Sequence, residues 1–253
     1  MPATPTVLDR WELAEPAPVQ PAAWYEGPLA SFDLETTGVD PARDRIVEVA
    51  LHLDVPGAPT RTLVDTLVDP GPQVAIPEAA TAVHGLTRQR LHAARAPDSA
   101  SVLRRLCRAL TTLTGEGVPV VIYNASYDWP LLAAELRRLG PALRPPACHL
   151  IDPLVLDRHC DRSRPGKRTL SATCEVYGVP LAGAHRAGAD GDASVAVARA
   201  IGRRYPEVGT LSPPALHGLQ VAAFEAWRTR FNASLAEVGA DRTPVPAGWP
   251  GRG

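Results

Sequence analysis

A chain of 253 residues, 45% of them hydrophobic, can bury a full core without disulfide or metal staples, and suits one large domain or one domain with appendages. Its net charge of −1 excludes a global basic field that would draw it onto nucleic acid or a membrane, so any polyanion must be gripped locally. The cysteines (Cys107, Cys148, Cys160, Cys174) lack C-x-x-C spacing, no apolar run reaches the roughly 18 residues of a membrane span, and no secretory pattern opens the chain; the expectation is a cytoplasmic protein with reduced thiols and no membrane contact.

Residues 1–26 are rich in Pro and Ala without a clean period and read as a leader, pinned by Trp11 or Trp24. The folded part begins near Gly27. Leu29 to Leu34 reads as a short apolar strand that delivers Asp33 and Glu35 ahead of the turn Thr36-Thr37-Gly38. Side chains at i and i+2 of a strand share a face, so the two carboxylates point the same way and repel. An exposed acid pair at the end of an edge strand is the plain reading of a lone D-x-E. A buried pair calls for a divalent cation, and hard oxygen ligands suit Mg²⁺ or Mn²⁺.

Arg45 to Asp54 and Arg61 to Asp69 are two further β-rich runs after short turns, which predicts an antiparallel meander. Residues 77–95 read as two short helices broken at His84-Gly85. Pro97-Asp98-Ser99 starts a helix whose apolar stripe is Leu103, Leu106, Leu110 and Leu113. Val118 to Tyr123 is continuously apolar, as in a strand buried on both faces. A helix between it and the meander implies an α/β fold with a mixed sheet flanked by helices.

Asn124 to Asp128 leaves this buried strand, and the spacing predicts a helix from Trp129 to Leu139 with Pro130 in its first turn. Asp128 therefore falls at a strand end, where open α/β sheets place ligand contacts. Residues 148–160 suggest a strand and a helix, and Asp161 to Arg168 is the most basic stretch, either a solvated loop or a phosphate contact that includes Lys167, the sole lysine. A helix follows from Thr169 to Tyr177. His185 fits a loop ahead of a helix that runs to Arg204, with Asp190 in its first turns and Asp192 as an ordinary surface acid. Ala215 to Glu237 is amphipathic. Its Gln220 to Phe224 resembles a short clamp-binding motif, but inside a helix it reads as core packing.

Three pieces remain: D-x-E-T-T-G on the first strand, N-x-x-x-D after a central strand, and H-x-A-x-x-D opening a late helix. Together, in this order, they resemble the DEDDh family of 3′-to-5′ exonucleases, which have an RNase H-like fold and include the proofreading subunit of bacterial replicative polymerase. The likeness covers residues 27–204, leaving a leader at 1–26 and a helical extension with tail at 205–253.

The resemblance implies Asp33, Glu35, Asp128, His185 and Asp190 as catalytic residues, the four acids holding two divalent cations and His185 acting as the base. It implies Thr36, Thr37, Gly38 and His84 as contacts to the terminal nucleotide. Asn124 would fix Asp128 or the substrate, and Lys167 would meet phosphate; for His84 and Asn124 a turn hydrogen bond is an equal alternative. The expected substrate is a nucleic-acid 3′ end, DNA ahead of RNA, with a polymerase or repair assembly as partner. Alternatives are an RNA 3′-exonuclease resembling RNase T or oligoribonuclease, and an accessory binding module.

Overall fold

The computed structural model describes residues 23–181, 185–239 and 243–251. Its centre is a five-stranded sheet in the order β3-β2-β1-β4-β5. Strands β1 (Leu29–Thr36), β2 (Ile46–Asp54) and β3 (Arg61–Leu67) form the antiparallel meander, while β4 (Val120–Val121) and β5 (Leu150–Ile151) extend the sheet in parallel from β1. The parallel strands need crossovers, and helices supply them.

Helices α1 (Glu78–His84), α2 (Arg88–Ala93) and α3 (Ser99–Gly115) lie between β3 and β4. Then come α4 (Ala125–Leu139) before β5, followed by α5 (Pro153–Cys160), α6 (Leu170–Tyr177), α7 (Ala187–Arg204), α8 (Pro206–Gly209) and α9 (Pro213–Glu237). None of the described helices is long and apolar enough to cross a membrane.

Alternation along the strands divides the core into two layers. Ala30, Phe32 and Leu34 face α3 and α4, where they meet Leu106, Leu110, Leu131 and Leu132. On the other side Leu29, Val121 and Ile151 meet Val197, Ala198 and Ile201 of α7. Helix α7 lies close against β1 because its sheet-facing positions are small: a β-carbon on Gly191 would sit 3.1 Å from Ser31 Oγ, and one on Gly188 3.0 Å from the His52 ring.

Several boundaries differ from the sequence-based expectation. Helix α4 starts at Ala125, not Trp129, so Pro130 lies inside it and Asp128 in its first turn. The cause is distant in sequence: the buried Asp152 carboxylate accepts the backbone N–H groups of Asn124 at 3.0 Å and Ala125 at 2.9 Å, satisfying donors a helix start leaves free. Residues 118–122 are buried as expected and Tyr123 partly so, but only Val120 and Val121 pair as strand.

Residues 1–22, with Trp11, lie outside the described residues. Trp24 is buried beside Ile201 and Val208 and donates its indole N–H to the Val208 carbonyl at 2.9 Å, so residues 23–26 belong to the folded body. At the other end Phe224 and Trp249 join the core on the α3/α4 side. Gln220 is fully buried, accepting the Asp152 N–H at 2.6 Å and donating to the Leu150 carbonyl at 2.9 Å, so the clamp-like segment is core packing.

Candidate active site

Asp33 and Glu35 sit on β1 itself and face α7, on the opposite side from Phe32 and Leu34. Glu35 lies directly across from Glu48 of β2, and the register slips by one residue between Glu35 and Thr36, a bulge of the kind that re-aims side chains at a strand end. Asp190 arrives from the first turn of α7. Oxygen atoms of Asp33, Glu35 and Asp190 all lie within 4.8 Å of one another. Asp128 comes from the opposite direction, off the first turn of α4. Its carboxylate lies against the backbone of Leu34, on the part of β1 that extends past the paired residues of β4.

The electrostatics follow from this crowding. Burial, then the neighbouring Asp128, Glu35, Asp190 and Glu48, drive the Asp33 carboxyl well above the usual carboxylate range. Burial and the charges of Glu48 and Asp190 push Glu35 up to about 7, against a smaller opposing effect of Arg186. Asp128 is raised chiefly by burial, and Asp190 is raised by burial despite the hydrogen bond from His185.

One atom tests whether a cation fits. Asp190 Oδ2 accepts the His185 backbone N–H at 3.0 Å, whereas Oδ1 is buried with no hydrogen-bond partner among the described residues. An orphaned carboxylate oxygen among other carboxylates is costly unless a cation completes it, and the all-oxygen donor set suits a hard divalent ion. The acidic cluster therefore fits divalent metal binding.

His185 is exposed on the loop ahead of α7, in the left-handed region at φ 66°. The remaining expected contacts behave differently. Thr36 and Thr37 are buried, and their hydroxyls serve the turn: Thr36 Oγ1 donates to the Gly38 carbonyl at 2.8 Å, and Thr37 Oγ1 donates to Asp44 and accepts the Arg45 N–H, both at 3.0 Å. These bonds shape the turn at the end of β1, where the resemblance implies contact to a terminal nucleotide. Gly38 is required because a β-carbon there would lie 2.5 Å from the Asp44 carboxylate.

His84 is also buried. Its Nδ1 accepts the Leu86 N–H at 3.0 Å, so its Nε2 carries the proton and donates to the Thr36 carbonyl at 3.2 Å; burial lowers its pKa. His84 thus props the end of β1. Asn124 (φ 66°) accepts from Ser126 Oγ at 2.9 Å and hands its backbone N–H to Asp152, so for both residues the turn alternative describes the contact made. Lys167 is exposed on the loop between α5 and α6, where it lines a separate cavity with residues of α9.

The structure adds residues that sequence reasoning missed. Glu48 is only 2% exposed; it takes Arg186 Nε at 3.2 Å and Nη2 at 3.1 Å, and the Ala187 N–H at the start of α7 at 3.4 Å. It thereby ties the His185-Arg186 segment to the sheet. A single acid inside the apolar run of β2 was the available signal. Asp192 is not an ordinary surface acid, since His52 Nδ1 lies 2.9 Å from its Oδ1. Tyr127, with its hydroxyl donating to the Gly38 carbonyl at 2.8 Å, links α4 to the turn after β1.

Comparison with known proteins agrees with this geometry. A DNA polymerase III subunit epsilon-like protein of Rhodobacter capsulatus is 34% identical over 177 residues, which cover 69% of this chain and 23% of that protein. A PolC-type DNA polymerase III of Caldanaerobacter subterraneus is 26% identical over 192 residues, covering 75% of this chain and 13% of that one. The chain thus spans less than a quarter of the length of either relative. Among solved structures, E. coli Exonuclease I in complex with a dT13 oligonucleotide shares the fold with a TM-score of 0.58 at 22% identity, over 72% of this chain and 42% of that one. The model of the RNase T type, described as exonuclease, matches residues 31–198, most of the chain. With that match and the convergent acids of β1, α4 and α7, the chain belongs to the DEDDh-type exonuclease family.

Proposed function

We propose that the protein is a 3′-to-5′ exonuclease that releases nucleoside 5′-monophosphates from DNA ends, single-stranded or frayed. The observation that carries this reading is the meeting of Asp33, Glu35 and Asp190, with Asp190 Oδ1 buried and unpartnered among the described residues. The polymerase names of the two relatives and the oligonucleotide in the Exonuclease I complex support DNA as substrate, and the same names support a polymerase partner.

Two divalent cations, Mg²⁺ or Mn²⁺, would neutralise charge on the attacking water and on the leaving 3′ oxygen. Asp33, Glu35 and Asp190 would hold one, and Asp128 would support the second. His185 takes the proton of the attacking water; its ring is exposed while its backbone N–H is fixed on Asp190. Water attacks phosphorus, the bond from phosphorus to the penultimate 3′ oxygen breaks, and the shortened strand keeps a 3′ hydroxyl. Glu48 holds the base's loop through Arg186, and His84 and Tyr127 hold the end of β1.

The test is product analysis on 5′-labelled single strands of DNA and RNA of one sequence, with Mg²⁺, Mn²⁺ or a chelator. A ladder shortening from the 3′ end, faster on DNA and abolished by chelator, is expected. Faster loss of RNA would replace the DNA assignment, and cutting that persists in chelator would overturn the metal-dependent reading.

A further inference from the structure

Beyond the acidic pocket, the loop between α5 and α6 and the outer face of α9 enclose a cavity of about 890 Å³. This is near the upper end of the range for ligand pockets, roughly 300–1,000 Å³. Its walls combine positive charge with flat aromatic surface. Arg158 lies with its guanidinium 3.7 Å from the centroid of Trp227, and Trp227 stacks on Phe231 with ring centroids 5.1 Å apart and planes 19° apart. Arg162, Lys167 and Arg230 are exposed around this stack. Among the described residues none of these three, nor Arg158, is paired with a carboxylate.

The loop is held rigid for this purpose. Asp157, fully buried, accepts from Arg164 Nη2 at 2.5 Å, from Arg168, and from the Tyr177 hydroxyl at 3.1 Å. Arg164 and Arg168 are therefore engaged inside the fold. Their engagement leaves Arg162 and Lys167 projecting from a fixed turn. The loop is also fastened to the strand end that carries the acids: the Tyr123 hydroxyl, just past β4, donates to the Arg168 carbonyl at 2.7 Å, five residues ahead of Asp128.

The geometry points to a second nucleic-acid-binding site here, one that takes the single strand upstream of the end being cut. Phosphates would lie against Arg162, Lys167 and Arg230, and a base would stack at the Trp227-Phe231 platform. Stacking on aromatic rings beside a positive groove is how sequence-tolerant single-strand binding is built. An acidic peptide would use the charges but offer no planar partner to Phe231, since Trp227 already carries the Arg158 guanidinium. The inference rests on the exonuclease reading for its choice of ligand, and it assigns a role to α9, which lies outside the family match at 31–198.

The experiment uses the full chain in chelator, where binding is read without turnover. Fluorescence anisotropy follows 5′-labelled oligothymidylates of about 4 and about 16 nucleotides, the range of known single-strand sites. The exposed triple variant Arg162→Glu/Lys167→Glu/Arg230→Glu is expected to keep the wild-type melting temperature and affinity for the short oligomer. For the long one its salt slope should drop by about 2, three phosphate contacts being lost. Phe231→Leu, which keeps apolar volume but removes the ring, should weaken the long oligomer about tenfold.

Wild-type affinity and slope in both variants would overturn the site. So would an Asp/Glu-rich peptide binding there while oligonucleotide does not, which would assign the cavity to a protein partner. The two readings fail separately. A wild-type protein that binds the long oligomer through the cavity but leaves it uncut with Mn²⁺ overturns the activity and supports the site; one that cuts it with binding indifferent to these residues does the reverse.

Discussion

Buried carboxylates are treated in two opposite ways in this molecule. Around α5 and α6, Asp157 is completed by two guanidinium groups and a phenol, and on α4 the buried Glu135 is held by Arg45 at 2.5 Å and Arg138 at 3.2 Å. In the β1 pocket Asp33, Glu35, Asp128 and Asp190 crowd together, and the nearest guanidinium, Arg186, is already engaged by Glu48. The fold can neutralise a buried acid with guanidinium groups, as at Asp157 and Glu135, or satisfy it with N–H donors, as at Asp152. Where it leaves several uncompensated, at a cost of several kcal/mol, the missing charge has to come from outside the chain.

The largest effect that would test this contrast is on turnover. Asp33→Asn should lower it by roughly a thousandfold or more, the scale of losing a main electrostatic stabiliser, while melting in chelator stays level or rises because a repelling charge is gone. Oligonucleotide kinetics and thermal melts on one preparation check both halves; a variant that cuts normally, or that melts well below wild type, breaks the comparison. His185→Ala should cost about 10²–10⁴ in kcat, as for loss of a general base, with KM little changed.

The opposite region should respond with opposite sign. Asp157→Asn strands Arg164 and Arg168 around an uncharged group in a fully buried place and should destabilise the protein by roughly 3–5 kcal/mol, measurable by denaturant titration. Equal melting of Asp157→Asn and Asp33→Asn would show that the two regions do not differ.

The smallest effect expected is on pH dependence. Glu35 is raised from 4.5 to about 7 in the folded state, and Asp33 and Asp190 are raised with it, so the native protein holds these protons more tightly than the unfolded chain. That stabilisation is complete below the unfolded values and is lost as pH climbs through the folded ones. Melting temperature in chelator should therefore fall between about pH 4.5 and 7, and added Mn²⁺ should recover more of it at pH 8 than at pH 5. A melting profile in chelator that rises over this window would contradict the raised carboxyls.

What was legible in advance was whatever short-range periodicity encodes. Alternation puts Asp33 and Glu35 on one face of β1; the stop at Gly85 divides α1 from α2; and the stripe of Leu103, Leu106, Leu110 and Leu113 gives α3 its buried side. The start of α4 was misplaced because its cap is the Asp152 carboxylate, which no local pattern near Asn124 announces. The bonds that Thr36, Thr37 and His84 make within the fold were not legible in the motif, because their partners, Tyr127, Asp44 and the Thr36 carbonyl, meet them only once the chain has folded.

The sequence by itself determined the strand and helix types, the shared face of the first two acids and the family pattern, since these depend on neighbours a few residues apart. Only the tertiary structure decided which charges find partners. Glu48 takes Arg186, 138 positions away, and Asp190 Oδ1 is left with no partner among the described residues, while α9 brings Trp227 over Arg158 to close the basic cavity. Compensation of a buried charge depends on distance in space and on exclusion of water, and neither is set until the layers have packed.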